Sequence, residues 1–348
     1  MPTTPRDNEL SLFIDGKEFR GWQEVEVTRA VDTFSTATFS ASMEPDNAEF
    51  RETFVPFSFK PIEVRFEGKP LFAGTMLGVE PEASANSRTV TVSAYALPAV
   101  LGDCTMAAAD LPLEFGGLRL REIISVIAGR FELETDIRED LGDRIKKVAI
   151  DVDRTPLEFL IELLKQRNAV LSDTPTGQLL CWRSAPTGSP IARWDANSSP
   201  TVKASFNAQE YYSEITGFTP AKRRKRGSHF TERNPFLNTI KRPLSFRLDD
   251  SEAGDAPGAV KAKLGRMFAN MASYTIEDIP SLKSPDGNLW ESNKTVKITA
   301  PTAMIYRETE LLIRSVTLKR TKDSDAASLN LVLPGAFSGE IPTTLPWS

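Results

Sequence analysis

The chain has 348 residues, with 42 Lys and Arg against 47 Asp and Glu, for a formal net charge of -5. That balance argues against a dedicated nucleic-acid-binding domain, which needs a basic face to neutralise phosphates. Hydrophobic residues make up 40% and charged residues 26%, which excludes the disordered class, and the length allows two or three domains.

The two cysteines, Cys104 and Cys181, lie far apart. They fit neither a zinc site nor a disulfide framework, and read as small buried hydrophobes of a protein that matures in a reducing cytosol. The opening MPTTPRDNELSLFIDG has no apolar stretch typical of a signal peptide. No apolar run approaches the roughly 20 residues of a membrane helix, so no membrane insertion is expected. There is one histidine, His229. A nucleophilic triad or dyad would have to use it, and it reads instead as an exposed loop residue. Carboxylate pairs are too easily found among 47 acids to carry weight. No catalytic, metal or cofactor residue is assigned.

Residues 8 to 100 read as β, without a helical stretch. Leu10, Leu12 and Ile14 alternate with polar or outward positions before the turn Asp15-Gly16. Trp22–Thr28, Ala37–Ala41, Pro61–Phe66, Leu71–Gly74 and Thr89–Tyr95 continue the pattern, with Glu67-Gly-Lys-Pro70 as a second tight turn. Such a set suits a small antiparallel barrel or sandwich.

Helical spacing begins after residue 103. Leu120, Ile123, Ile124 and Ile127 share a face, with Gly129 near the expected C-terminus. Thr155-Pro156 opens a second helix, with Thr155 as N-cap, Pro156 in the first turn and Glu158 completing a capping box. Its buried stripe is Phe159, Leu160, Leu163 and Leu164. Strands at 168–171 and 178–183 flank the turn Thr174–Gly177.

Residues 184–200 are rich in Pro, Ser and Gly and read as a linker. Beyond it, Tyr211–Phe218 and Pro243–Leu248 read as strands, and 255–269 as a helix with Val260, Leu264, Met267, Phe268 and Met271 sharing a face. Thr295–Thr299, Leu311–Lys319 and Ser328–Leu333 finish the region, the last two as a hairpin around Arg320–Asp325. The order suggests two related barrels.

Three stretches carry a family resemblance: the opening Leu10–Trp22 with Val25–Phe39, the capped helix Arg154–Arg167, and the closing strands Leu312–Leu318 and Leu329–Pro334. Over nearly the whole chain they resemble the baseplate hub family of Mu-like contractile-tailed phages (tail protein P), related to the hub part of type VI secretion spike proteins. The resemblance implies a mainly β fold with an α+β insert: two tail-tube-like antiparallel β-barrels plus a small mixed α/β domain. The divisions are 1–102 for the first barrel, 103–185 for the α/β domain, 186–200 for the linker and 201–348 for the second barrel with one helix.

It further implies a structural, non-enzymatic role. The chain would form a homotrimeric ring joining a tail tube protein to a central spike protein, beside other baseplate proteins. DNA would pass transiently through the lumen without specific binding. The site would be the virion tail baseplate, assembled in the bacterial host cytoplasm. The alternatives are a tail-associated cell-wall hydrolase and a nucleic-acid-binding tail protein. The latter would use the run Lys222, Arg223, Arg224, Lys225 and Arg226 in AKRRKRGSHF, which otherwise reads as a solvated loop or as a contact for an acidic partner. The five tryptophans, Trp22, Trp182, Trp194, Trp290 and Trp347, are candidates for subunit contacts, and the tail 341–347 for docking or fraying.

Overall fold

The computed structural model describes residues 10–84, 88–184, 188–197, 200–219, 227–248, 256–335 and 337–348. The basic run 222–226 lies outside the described residues.

The first β region is built from β1 (Leu10–Ile14), β2 (Lys17–Glu18), β3 (Trp22–Ala30), β4 (Thr36–Ser42), β5 (Pro61–Phe66), β6 (Lys69–Ala83) and β7 (Arg88–Ala96). Alternation sets the faces: Leu10, Leu12 and Ile14 are buried, as are Val25, Val27, Ala37, Phe39 and Ala41. The two tight turns hold both central residues left-handed, Asp15 with Gly16 and Glu67 with Gly68. That is the turn whose twist matches a hairpin.

One helix interrupts the strands, contrary to the all-β expectation. It is α1 (Ala48–Thr53), capped by Asn47, whose Oδ1 accepts from the amides of Glu49 at 3.0 Å and Phe50 at 3.3 Å. The rings of Phe50 and Phe54 lie 4.6 Å apart and pack on the barrel core. The Asn47 cap and the Phe50–Phe54 spacing were the signal for it.

The insert contains α2 (Val100–Asp103), β8 (Glu114–Phe115), α3 (Leu120–Arg130), β9 (Thr135–Ile137), β10 (Val148–Ala149), α4 (Pro156–Lys165), β11 (Val170–Asp173) and β12 (Leu179–Trp182). It has its own core, with Leu120, Ile123, Ile124 and Ile127 against Phe159, Leu160, Leu163 and Leu164. The α4 start is as expected: Thr155 Oγ1 accepts from Glu158 N, and Glu158 Oε2 from Thr155 N, both at 3.2 Å. The end of α3 differs. Gly129 stays helical and Glu132 takes the left-handed position, with Leu133 N donating to Ala128 O at 3.0 Å. Cys181 is buried, but Cys104 is exposed, because it follows the last turn of the four-residue α2.

The second β region has β13 (Ala192–Trp194), β14 (Val202–Phe206), β15 (Glu214–Phe218), β16 (His229–Arg233), β17 (Pro243–Arg247), α5 (Ala256–Met271), β18 (Ala272–Ile279), β19 (Thr295–Ala300), β20 (Ile305–Thr321) and β21 (Asp325–Val332). β13 falls inside the expected linker and pairs with β19 in parallel. His229 is exposed as expected, but it heads a strand opposite Phe218. The tail is docked on its own chain: Leu345 is buried, Tyr306 N donates to Pro346 O at 3.2 Å, and the Trp347 ring lies 5.0 Å from Phe206.

The two β regions are one duplicated unit. The β6–β7 hairpin and the β20–β21 hairpin share a register residue for residue: Thr75 opposite Tyr95 matches Leu312 opposite Val332, and Ala83 opposite Arg88 matches Arg320 opposite Asp325. Even the bulge coincides, with Leu77 extra in one and Arg314 in the other. The correspondence continues through the neighbouring ladders. Pro61 opposite Thr75 matches Thr295 opposite Leu312, Ala37 opposite Ala94 matches Tyr274 opposite Leu331, and Val27 opposite Ala37 matches Ala204 opposite Tyr274. It ends at β13, whose pairing with β19 is parallel where β1 with β5 is antiparallel. The units differ most between β14 and β18, where the sheet β16-β15-β17 and α5 replace the short β3–β4 link. β3 pairs with β20, so both units belong to one 13-stranded sheet.

Replacing Thr155 by Ala removes the acceptor for Glu158 N and should cost about 1 kcal/mol in denaturant unfolding with an unchanged slope. Burial pushes the Cys181 thiol up to about 12. An aromatic disulfide reagent at neutral pH should therefore titrate Cys104 quickly in the folded protein and both thiols only after unfolding.

Candidate functional site

Three parts of the chain meet at one cleft of about 660 Å3. Arg29 comes from β3, Asp173 from the end of β11, Trp182 from β12, Arg138 from the segment after β9, and Trp290 and Lys294 from the segment before β19. Local pairing puts them there. The insert sits on the β3–β4 link: Ser172 Oγ donates to Ala30 O at 2.8 Å and Thr33 O at 3.0 Å, and Trp182 Nε1 donates to Val31 O at 3.3 Å. Asp173, 1% exposed, accepts from Ser35 N at 2.6 Å through Oδ1. On the other side of the link, Arg314 Nη2 holds Asp32 Oδ2 at 2.8 Å. Lys283 on the second unit reaches Glu67 on the first at 2.6 Å.

The cleft is polar and electrostatically mixed. Burial holds the Asp173 carboxyl above the ordinary carboxylate range, against the pull of the Ser35 amide and Arg29. Burial also pulls the Arg29 guanidinium down, opposed by Asp173 and Glu291. Asp173 Oδ2, Arg29 Nε and Trp290 Nε1 are buried without a protein partner. Three such groups around one cleft mark a place that takes water or a polar group. Among the described residues, no three His, Cys, Asp or Glu side chains are grouped to hold a metal. The arrangement supplies a joint between the insert and both β units.

The residues singled out by sequence scatter around this joint. Trp182 and Trp290 line it, Trp194 stacks on Trp290 at 5.9 Å, and Trp22 and Trp347 pack at the core margin. His229 points elsewhere, its ring 5.8 Å from Phe218. Arg29, Asp173 and Lys294 were invisible as a set, because only the fold brings these separate segments together. The chemical hint at Asp173 was a carboxylate closing an apolar strand.

Two strands of the duplicated ladder, β6 and β14, each have a stretch with no partner on one side among the described residues. β20 uses residues 305–312 against β19 and 315–321 against β3. Its counterpart β6 uses 69–75 against β5, and among the described residues nothing pairs with that side of 78–83. Among the described residues β14 pairs with β18 alone. Burial shows what is missing. Val316, Leu318 and Arg320 are buried, whereas Pro81 and Ala83 at the matching places are exposed. Val25 and Val27 are buried, whereas Val202 at the first matching place is half-buried and Ala204 at the second is exposed.

Because the folded chain binds the Asp173 proton more tightly than the unfolded chain, stability carried by this group is present at low pH. It falls as pH rises from the ordinary value of 3.8 through the raised one. Asp173→Asn keeps an acceptor for Ser35 N and does not titrate. Its thermal midpoint should therefore gain on the wild type as pH rises above about 4. Asp173→Ala leaves the Ser35 amide buried and unpaired and should cost about 1–3 kcal/mol at any pH.

No model of a known protein family matches the chain. Over 328 residues it is 24% identical to the baseplate hub protein gp44 of Escherichia phage Mu, covering 89% of this chain and 84% of that protein. Among solved structures, the 43 kDa tail protein of prophage MuSo2 from Shewanella oneidensis superposes with a TM-score of 0.79 at 19% identity, covering 94% of this chain and 99% of that one. The E. coli c3393 protein, a component of the type VI secretion system with structural similarity to T4 tail proteins gp27 and gp5, superposes with a TM-score of 0.54 at 11% identity, covering 93% of this chain and 76% of that one. The chain is related in sequence to the Mu baseplate hub protein and has the fold of prophage tail proteins.

Proposed function

We propose that the chain is a structural hub of a contractile phage or prophage tail baseplate, in which three copies form a ring between the tail tube and the central spike. The observation that carries this reading is the duplicated β unit in which the counterparts of the joined strands β20 and β3, namely β6 and β14, lack that joint among the described residues. A protein whose internal joint has an unjoined counterpart at each end, among the described residues, is suited to head-to-tail assembly, and a heterologous contact that closes gives a ring. The relation to the Mu hub protein over most of its length supports the same role. Such a role asks for stable surfaces and a rigid joint, which the cleft network provides, and for no reacting group. The place of work is then the virion baseplate, after assembly in the host cell.

Light scattering on a sizing column should give a mass near three times 38.5 kDa at high concentration, or that mass plus the spike's when the spike is added. A chain that stays monomeric with both the tail tube and spike proteins present, and that co-sediments with neither, overturns the reading.

A further inference from the structure

The joint inside the chain gives the bare edges a register. Within it, Val316 lies opposite Arg29, Leu318 opposite Val27 and Arg320 opposite Val25. Val31 N donates to Arg314 O at 2.9 Å. By alternation, the amides of Arg29, Val27 and Val25 face β20, and those of Val316, Leu318 and Arg320 face β3. Moving this joint onto the counterpart strands sets Val79 of β6 opposite Phe206 of β14, Pro81 opposite Ala204 and Ala83 opposite Val202. On the other face it sets Glu80 opposite Ser205 and Glu82 opposite Lys203. The β14 amides already point the right way. Asn207 N donates to Met271 O at 2.8 Å, which turns Ser205 and Lys203 toward β18 and leaves Phe206, Ala204 and Val202 facing the bare edge.

We propose that residues 78–83 of β6 in one copy pair antiparallel with residues 202–206 of β14 in a second copy, in the register of the β3–β20 joint, and that the charges on these edges select this head-to-tail pairing. The proposal rests on the ring reading and names its contact.

The chemistry of the internal joint is matched with the signs exchanged. There, the cation is on the hairpin strand: Lys319 Nζ meets Glu24 Oε1 at 2.8 Å, with Glu26 and Asp278 also close. At the bare edges, the acids Glu80 and Glu82 are on the hairpin strand, and the cation Lys203 is on the other. Lys203 already pairs with Glu277 of β18, so it would lie between two carboxylates as Lys319 does. The hydroxyl pair Thr28–Thr317, 2.9 Å apart inside the chain, becomes Ser205 donating to Glu80. Pairing two β6 edges would instead bring Glu80 and Glu82 of both copies together, and pairing two β14 edges would bring the Lys203 side chains together. Both are penalised by like charge. Pro81 has no amide to give at this edge, so the ladder lacks one bond there. That also weakens the edge as a template for unrelated strands.

Glu82 and Lys203 would form a pair without direct backbone bonds, the kind whose side chains lie closest and whose Cα spacing suits a disulfide. In a Cys104→Ser background, the chain carrying Glu82→Cys and Lys203→Cys should form, on mild oxidation, a covalent ladder that stops at the closed ring. Each single variant, and the register-shifted pair Glu80→Cys with Lys203→Cys, should lose that ladder. Glu80→Lys with Glu82→Lys should lose self-association while the thermal midpoint of the monomer stays unchanged. If the wild type assembles but the matched pair does not cross-link, or the shifted pair cross-links equally, the register is overturned and the hub reading stands. If the matched pair cross-links into chains of other sizes, the edge pairing stands and the ring of three falls. If neither assembly nor cross-linking occurs at high concentration, the edge pairing is overturned.

Discussion

The pairing of β20 with β3 is the contact on which the rest of the molecule depends. Strand edges carry unpaired amides and carbonyls, and without this contact β3 and the outer half of β20 would add two more such edges. The pairing sets Val25 and Val27 against Leu318 and Arg320 on the core face, and Thr28 against Thr317 and Glu24 against Lys319 on the other. It also fixes the segment just beyond β3, because Val31 N is bonded to Arg314 O. That segment is the seat of the insert. Ser172, Asp173 and Trp182 all bond to backbone between residues 30 and 35. The orientation of the insert therefore follows from a strand pairing made by two other parts of the chain.

The duplication was free to diverge where no ladder depends on it. In the first unit, the β3–β4 link stayed short and became that seat. In the second, the corresponding link grew into a three-stranded sheet and a helix. The ends of the insertion remain neighbours, with Asn207 N bonded to Met271 O at 2.8 Å, so the ladder between β14 and β18 is undisturbed. The entropy of closing a loop grows only slowly with its length, and the added element buries its own face: Ile215 and Gly217 lie against α5, where a Cβ on Gly217 would meet Val260 at 2.8 Å.

Local chemistry made much of this legible in the sequence. The two left-handed turns, the capping box at Thr155, the stripe of α4 and the closing hairpin each depend on residues a few positions apart, and each was read with its right partners. What failed depended on context. Cys104 looked like core but follows the end of a very short helix. Gly129 looked like a helix stop, but the stop is Glu132. The region 186–200 looked like a linker by composition, yet Ala192–Trp194 completes a parallel pair with β19. The cleft groups Arg29, Asp173 and Trp290 come from three segments that only tertiary pairing unites. The duplication was suggested by the order of elements, but its register was hidden, because Ala37 and Tyr274, or Leu77 and Arg314, share a place in the ladder and nothing in side-chain chemistry. A β ladder constrains position and face far more than identity.

That freedom is why the edges are more informative than any cluster of polar side chains in this chain. Much of the cleft's polar chemistry has a local explanation: Asp173 receives the Ser35 amide through Oδ1, and Lys283 ties the two units together at Glu67, although Asp173 Oδ2, Arg29 Nε and Trp290 Nε1 have no protein partner. The bare stretches of β6 and β14 have no such local reason. A long hairpin strand whose outer half lacks a partner leaves Leu77 40% exposed and Phe206 44% exposed at the other edge. A protein that worked alone would cover or shorten such edges. Here the matching half of the same strand type, in β20, is covered by β3, and where it is covered the side chains are apolar or paired. The same backbone is thus seen once satisfied and once waiting. The difference between the two states is the surface proposed here for contact with a second copy.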